Sequence, residues 1–277
     1  MNVSMQDAFN LGWKLASVLQ KRGAPRLLHT YSAERQAVAK ELIDFDREWA
    51  TILASANGKN EGFDPAETQR YFVQHGRYTA GTATHYRPSM VSAEPSHQHL
   101  AEGFVIGKRF HSAPVIRVAD AKPVHLGHVA RADGRWRIFA FAGAGNPTAS
   151  NSAIGALCSF LADGRESPVR RYTPKGTDID SVIDVRAVFQ QNHRELAVTR
   201  MPAVLLPRKG RYGLLDYEKM FCPDLRSGHD IFAMRGIDRN AGCMVVVRPD
   251  QYVAHVLPLG AYAQLAAFFD RFMVPVN

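Results

Sequence analysis

Seven of the eleven histidines fall between His75 and His128, and two groups have ligand-like spacing: His97-Gln98-His99 with Glu102 nearby, and His125-Leu126-Gly127-His128. Imidazoles two or three positions apart with a carboxylate at hand can hold a divalent metal. Neither group completes a signature such as HExxH, and the first lies in aperiodic sequence, so solvated loop histidines and no metal are expected. Gly143-Ala144-Gly145 lies between a β-rich run and a helical run, where a phosphate-binding loop would sit. A dinucleotide fingerprint needs a third glycine where Thr148 stands, so a tight turn is expected instead. Cys158, Cys222 and Cys243 form no CxxC pair, which excludes a dithiol redox centre and a cysteine zinc site. Asp178, Asp180 and Asp184 supply carboxylates, but nothing nearby completes a site, and exposed strand-edge charges are expected. No Ser-His-Asp order or activated cysteine is present. No catalytic residue is assigned.

The elements that would position these groups change character along the chain. Ser4 can cap a first helix, with Asp7 three residues later, and Ala8, Leu11, Leu15, Val18 and Leu19 form its apolar face. A second helix runs from about Tyr31 to Ala54, with Val38, Leu42, Phe45, Trp49, Ile52 and Leu53 on one side. Asp64-Pro65 opens a third, ending near Tyr78. From Ala80 to Ser112 the periodicity fades into Gly, Thr, Ser, Pro and His, as in a connecting region. Strands follow at Trp136–Ala142, Val182–Phe189, Asp230–Met234, Met244–Val247 and Tyr252–Val256, with helices at Ser150–Leu161 and Ala261–Met273. Arg248-Pro249-Asp250 turns the last two strands into a hairpin. Strand–helix–strand, hairpin, helix is an α/β sandwich of thioredoxin type. Its CxxC position holds Asn146-Pro147-Thr148-Ala149, so the domain is expected to be redox-inactive.

The chain has 277 residues, a formal charge of +8, 46 % hydrophobic and 22 % charged residues, which excludes a wholly disordered protein. Arg170-Arg171, Lys175, Arg208-Lys209 and Arg211 are scattered without interleaved aromatic residues, so no nucleic-acid partner is expected. The longest uncharged run, Ile138–Ala162, is broken by Gly143, Gly145, Asn146 and Pro147, and no membrane span is expected. Asp7 precedes Lys14, the wrong charge order for a secretory signal, and a cytoplasmic, reducing location is expected.

Met1-Asn2-Val3-Ser4-Met5-Gln6-Asp7-Ala8-Phe9-Asn10-Leu11-Gly12-Trp13-Lys14-Leu15 resembles the GGQGMNxxxxDAxNLxWKL segment of single-component FAD-dependent aromatic hydroxylases, starting at its Met. Tyr31-Ser32-Ala33-Glu34-Arg35 with Val38-Ala39 resembles the family's YxxERxxxA helix. Phe72–Tyr86, Phe110–Pro114 with Ala119-Asp120, Gly213–Tyr217, Asp238-Arg239 and Val247–Ala254 continue the likeness to the phenol 2-monooxygenase and 3-hydroxybenzoate 4-monooxygenase family.

The resemblance implies an enzyme in which NAD(P)H reduces FAD and the flavin delivers oxygen from O₂ to a phenolic ring. The family's dinucleotide-binding fold and phenol-contacting residues lie upstream of its GGQG segment. What this chain keeps of the cofactor site is then Met1 and Asn2, whose backbone faces the flavin ring at the positive end of the first helix. Residues 1–100 would be helices of the flavin and substrate domains. Residues 105–277 would be a redox-inactive thioredoxin-like domain serving a homodimer interface. The expected protein is the C-terminal portion of a phenolic hydroxylase, inactive in isolation. The alternative is a stand-alone thioredoxin-like dimerisation module with no enzymatic role.

Overall fold

A computed structural model describes residues 2–57, 69, 73, 76 and 81–276. The helix expected from Asp64 to Tyr78 falls outside them, apart from Gln69, Val73 and Gly76, which are helical. Helices α1 (Asn2–Leu19) and α2 (His29–Asn57) open the fold. α1 is already helical at Asn2, so Ser4 lies within the first turn and does not cap it. The expected apolar face of α1 is only partly turned inward: Leu11 and Val18 are half-buried, Val18 against the main core. Its fully buried residues are Asn10, Trp13 and Lys14, whereas Ala8, Leu15 and Leu19 are exposed.

The remaining chain forms one seven-stranded sheet in the order β2-β1-β7-β4-β3-β8-β9 and a separate two-stranded hairpin, β5-β6. The strands are β1 (Pro114–Arg117), β2 (Lys122–His125), β3 (Trp136–Phe141), β4 (Ile183–Val188), β5 (Arg208–Lys209), β6 (Leu214–Leu215), β7 (Met220–Pro223), β8 (Cys243–Val247) and β9 (Val253–Leu257). β3 and β4 run parallel, joined through α3 (Ala153–Asp163), and β8-β9 pairs antiparallel to β3 before the closing helix α6 (Tyr262–Asp270). That unit is the thioredoxin-type core expected from the strand–helix order. Two short helices, α4 (Pro168–Tyr172) and α5 (Ile231–Met234), fill the connections.

All six residues of β3 are buried, because both faces of the sheet are covered. One face carries Trp136, Ile138, Val185 and Val246 against Leu157 of α3 and Phe268, Phe269 and Phe272 from the chain end. The other packs Phe139, Phe141, Val188 and Val245 against Phe104, Phe110 and Phe232. Phe110 stacks between Phe104 and Phe139, with ring centroids 4.6 Å apart on each side.

Three features depart from the sequence expectations. Residues 84–112 are irregular yet are not a bare connection. Ala93 donates to the Ala254 carbonyl, Gly107 to Val253 and Phe110 to Gln251, and Leu100, Phe104 and Ile106 enter the core. Asp230–Met234 is a helix turn instead of a strand, because the Asp230 carboxylate accepts the Phe232 amide and caps it. Asp180 and Asp184 are buried, not strand-edge charges. Lys219 pairs with both, and Lys209 (2.8 Å to Asp180) and Arg186 (2.9 Å to Asp184) complete the neutralisation.

Candidate functional site

A buried polar constellation lies where α1 and α2 meet the β8-β9 hairpin. Asn10 and Lys14 sit one turn apart on α1, so both side chains reach the same neighbour. Glu34 and Arg35 both come from the second turn of α2. Arg248 and Asp250 come from the turn between β8 and β9. There Pro249 and Asp250 are the central residues, Arg248 accepts from the Gln251 amide (2.9 Å), and Gln251 takes the left-handed conformation at φ +67°.

Glu34 is the hub. Its carboxylate accepts both terminal nitrogens of Arg248 (2.6 and 2.9 Å), Lys14 Nζ (2.8 Å) and Asn10 Nδ2 (2.7 Å). Arg248 reaches on to Asp250 through two further bonds (2.9 and 2.7 Å) and to Ser92 Oγ (3.3 Å). Its guanidinium also lies over the rings of Trp13, Tyr86 and Tyr252, 5.0–5.7 Å from their centroids. Tyr86 Oη receives Arg35 Nη1 (3.0 Å) and Asn10 Nδ2 (3.3 Å). Arg35 in turn binds Asp7, Gln6 Oε1 (3.4 Å) and the Val3 carbonyl (3.3 Å), so it holds the first turns of α1.

Tyr86 keeps its place through a glycine. A Cβ on Gly107, at φ +83°, would come within 2.1 Å of the Tyr86 carbonyl oxygen. Only glycine permits that approach.

Burial alone would raise the Glu34 carboxyl, but Arg248, Lys14 and their hydrogen bonds outweigh it and hold it down at about 2. Burial first, and the like charge of Arg248 second, push the Lys14 ammonium down to about 8. Arg248 stays fully charged, since Asp250 and Glu34 overcome its desolvation and raise it further. These groups are charged and mutually satisfied at neutral pH. They clamp α1, α2 and the β8-β9 turn together.

Among the described residues, His97, His99, His125 and His128 make no contact with this clamp. Met1 lies outside the described residues. Asn2 begins α1, and its side chain lies outside them too. The His97 and His99 rings are 6.4 Å apart and His125 and His128 5.4 Å apart, and His97 is engaged with Gln264 (3.1 Å). Among the described residues no group of three or more His, Cys, Asp or Glu is placed to hold a metal ion.

Gly143 serves packing: a Cβ there would meet the Asn240 carbonyl oxygen at 2.5 Å. With Asn146 and Pro147 at the tip, the loop lines a cleft of about 250 Å³ before α3. The described residues therefore do not fit the dinucleotide half of a flavin. Cys158 on α3 is buried, and that burial pushes its thiol up to about 12, far from a reactive thiolate.

Sequence reasoning quoted Asn10, Lys14, Glu34, Arg35, Arg248 and Asp250 as parts of motifs without joining them. The available signal was the motif types themselves: an Asn, a Lys, a Glu-Arg pair and an Arg-Pro-Asp turn on stretches otherwise suited to core packing.

Residues 84–277 match the family described as "Phenol hydroxylase, C-terminal dimerisation domain", and residues 1–46 match "FAD binding domain". Asn10, Lys14, Glu34 and Arg35 come from the second segment, and Tyr86, Ser92, Arg248 and Asp250 from the first. Over 276 residues the chain is 59 % identical to 3-hydroxybenzoate 4-monooxygenase of Comamonas testosteroni, covering 99 % of this chain and 43 % of that protein. It is 35 % identical to the FAD-dependent monooxygenase terD of Aspergillus terreus, over 99 % and 46 % of the two chains. The solved structure of aklavinone-11 hydroxylase with FAD and aklavinone superposes with a TM-score of 0.52 at 18 % identity, covering 98 % of this chain and 39 % of that one, which shows the fold. The chain thus spans under half the length of these relatives. No helix among the described residues is long and apolar enough to cross a membrane. The chain belongs to the family of FAD-dependent aromatic hydroxylases and carries its phenol hydroxylase C-terminal dimerisation domain.

Proposed function

We propose that this chain is the C-terminal part of a single-component, cytoplasmic hydroxylase that uses FAD and NAD(P)H to hydroxylate a phenolic ring. In isolation it neither retains FAD nor hydroxylates. The dimerisation domain serves a homodimer, and α1 and α2 belong to the flavin and substrate side. The boundary expected at residues 100–105 is better drawn near 84, since residues 91–110 contribute side chains and hydrogen bonds to the sheet domain. Met1 and Asn2 remain the positions we assign to the flavin ring. We assign no catalytic residue to the chain.

The observation that carries this reading is the outer face of α1. Met5, Ala8, Gly12, Leu15 and Leu19 recur every three or four residues as one stripe, and all five are exposed, Leu19 by 73 %. An apolar helical stripe facing water on a helix anchored by its polar side is a surface made to be covered. A further flavin-domain layer is the cover consistent with the family.

Two measurements test the proposal. The purified chain, incubated with excess FAD and desalted, should be colourless at visible wavelengths, and retained flavin absorbance would contradict it. A chimera joining the N-terminal portion of the Comamonas relative to this chain should bind FAD and consume NAD(P)H when supplied with 3-hydroxybenzoate. A folded chimera that binds no flavin would overturn the assignment.

A further inference from the structure

A cleft of about 410 Å³ lies between α1 and the sheet domain, and the clamp leaves it open. Both regions supply its walls. Trp13 of α1 meets Trp136, the first residue of β3, edge-on with centroids 5.6 Å apart. Phe272 from the chain end stacks on Trp136 at 5.0 Å, and Leu27 and Val182 add aliphatic surface.

These walls are set without a guest. Arg248 lies over the Trp13 ring at 5.6 Å, and Lys14, the next residue of α1, is bonded to Glu34 (2.8 Å). The clamp therefore fixes the wall that α1 supplies. On the other side the Trp136 amide donates to the Val182 carbonyl (2.9 Å). A pre-formed cleft at the junction of two regions is a common setting for a small-molecule site, and its rigidity lowers the cost of filling it. Helix α1 is also thinned here. A Cβ on Gly12, which lines the cleft, would meet nothing within 4 Å. Glycine in a helix interior weakens the helix, and no neighbouring atom demands it at this position.

The polar groups of the cleft favour an anion. Arg22 lines it, is half-buried, and has no carboxylate partner among the described residues. Asp133 is the one carboxylate in the lining among those residues, and it is already taken. Arg137 donates to it twice (2.7 and 2.6 Å) and Arg135 twice (3.0 and 2.7 Å). Trp13 is only 6 % exposed, and its indole Nε1–H has no acceptor. The cleft thus offers an unpaired cation and an unpaired donor, with no free anion to answer them.

We infer that this cleft binds a flat, two-ring aromatic carboxylate, its rings against Trp13, Trp136 and Phe272 and its acid group on Arg22. Size selects two rings. A closed apolar cavity of about 150 Å³ takes one benzene ring, so this half-open cleft has room for a fused pair and an acid group. Flatness follows from the walls, because aromatic rings prefer stacked or edge-on ring partners. The acid follows from Arg22, whose planar guanidinium matches a carboxylate with two parallel bonds. The inference stands on the cleft alone and does not depend on the hydroxylase reading.

Isothermal titration calorimetry on the purified chain tests it, with 2-naphthoate, the uncharged 2-naphthamide and the one-ring benzoate as probes. The chain should bind one equivalent of 2-naphthoate at least tenfold more tightly than either of the others. Arg22→Gln changes a side chain with no partner to lose and should bring 2-naphthoate down to the level of 2-naphthamide. Gly12→Phe puts a ring into the open space over the glycine. It should abolish binding of all three, with far-ultraviolet circular dichroism unchanged. Absence of saturable 2-naphthoate binding, equal affinity for the acid and the amide, or an Arg22→Gln chain that keeps the preference for the acid would each overturn the site. So would a folded Gly12→Phe chain that binds like wild type.

Discussion

The two halves of the molecule are built on different physics. The sheet domain is closed by apolar cores on both faces, in which Phe139, Phe141, Ile138, Val245 and Val246 are wholly buried. The helical half has little of this. Trp13 edges onto Trp136 (centroids 5.6 Å), and Val38 joins Tyr86 and Tyr252 in a small cluster. Leu27, between the two helices, enters the main core, Val18 packs against it, and the backbone of Ala24 and Arg22 pairs with Phe272 and Val274. The buried polar contacts of α1 and α2 come from Lys14, Glu34, Arg35, Arg248 and Asp250. Apolar packing tolerates small shifts, because its gain follows area and not direction. A buried charge cluster has one arrangement in which every ion is paired, and it tolerates the loss of one member poorly. The sheet domain thus supplies the stability, and the clamp sets where the helices sit.

Paired core and clamp truncations separate these roles most strongly. Arg248→Met leaves Glu34 and Asp250 buried without their shared cation and should cost about 3–5 kcal/mol. Phe139→Ala should cost a similar ~3–5 kcal/mol through the cavity it opens. Urea unfolding followed by tryptophan fluorescence and far-ultraviolet circular dichroism tells them apart. The Phe139 variant should keep one coincident transition, and the Arg248 variant should split into an early helical loss and a later sheet transition. Coincident transitions in both would break the comparison.

Acid should act next, and on the clamp first. The folded Glu34 carboxyl sits at about 2 against a usual 4.5, so its contribution is fully present above pH 4.5 and is lost as pH falls from there toward 2. That difference amounts to about 3 kcal/mol. Asp180 is held down to about 2 as well: Lys219 and Lys209 outweigh the burial that would raise it, so the sheet domain has its own loss in the same direction. A pH titration of stability should therefore flatten in a Glu34→Gln chain without becoming flat. An unchanged slope would remove Glu34 from the account.

The smallest effect sharpens the picture. Tyr86→Phe removes the oxygen that receives Arg35 and Asn10 while keeping the ring against Tyr252, 4.6 Å away. It should cost about 1–2 kcal/mol, with stability read by the same urea titration.

Much of the sheet domain is legible in the sequence. The β-branched and aromatic runs of β3, β4 and β8 are long and unbroken by proline, and Pro249 marks the hairpin turn, so strand type and neighbour order follow. Strands β1, β2 and β7 escape such reading because each is four residues long and carries Pro114, Pro123 or Pro223. Ile231-Phe232 looks like strand until Asp230 is seen to cap it. The helical half misleads through its own pattern: part of the apolar stripe of α1 faces outward, and the residues that anchor it are an amide and an ammonium. The clamp is invisible to local reading because Glu34 and Arg248 are 214 positions apart. Only the resemblance to family motifs put those residues on one page, and packing, not periodicity, joined them.

The central claim is that charge places α1 and α2 on a sheet domain whose two cores are apolar. Native-state amide hydrogen exchange on the Glu34→Gln chain tests it directly. The account predicts that protection in α1 and α2 falls by at least tenfold while β3, β4 and β8 keep wild-type values. A uniform fall across helices and strands, or no change in α1 and α2, would contradict it.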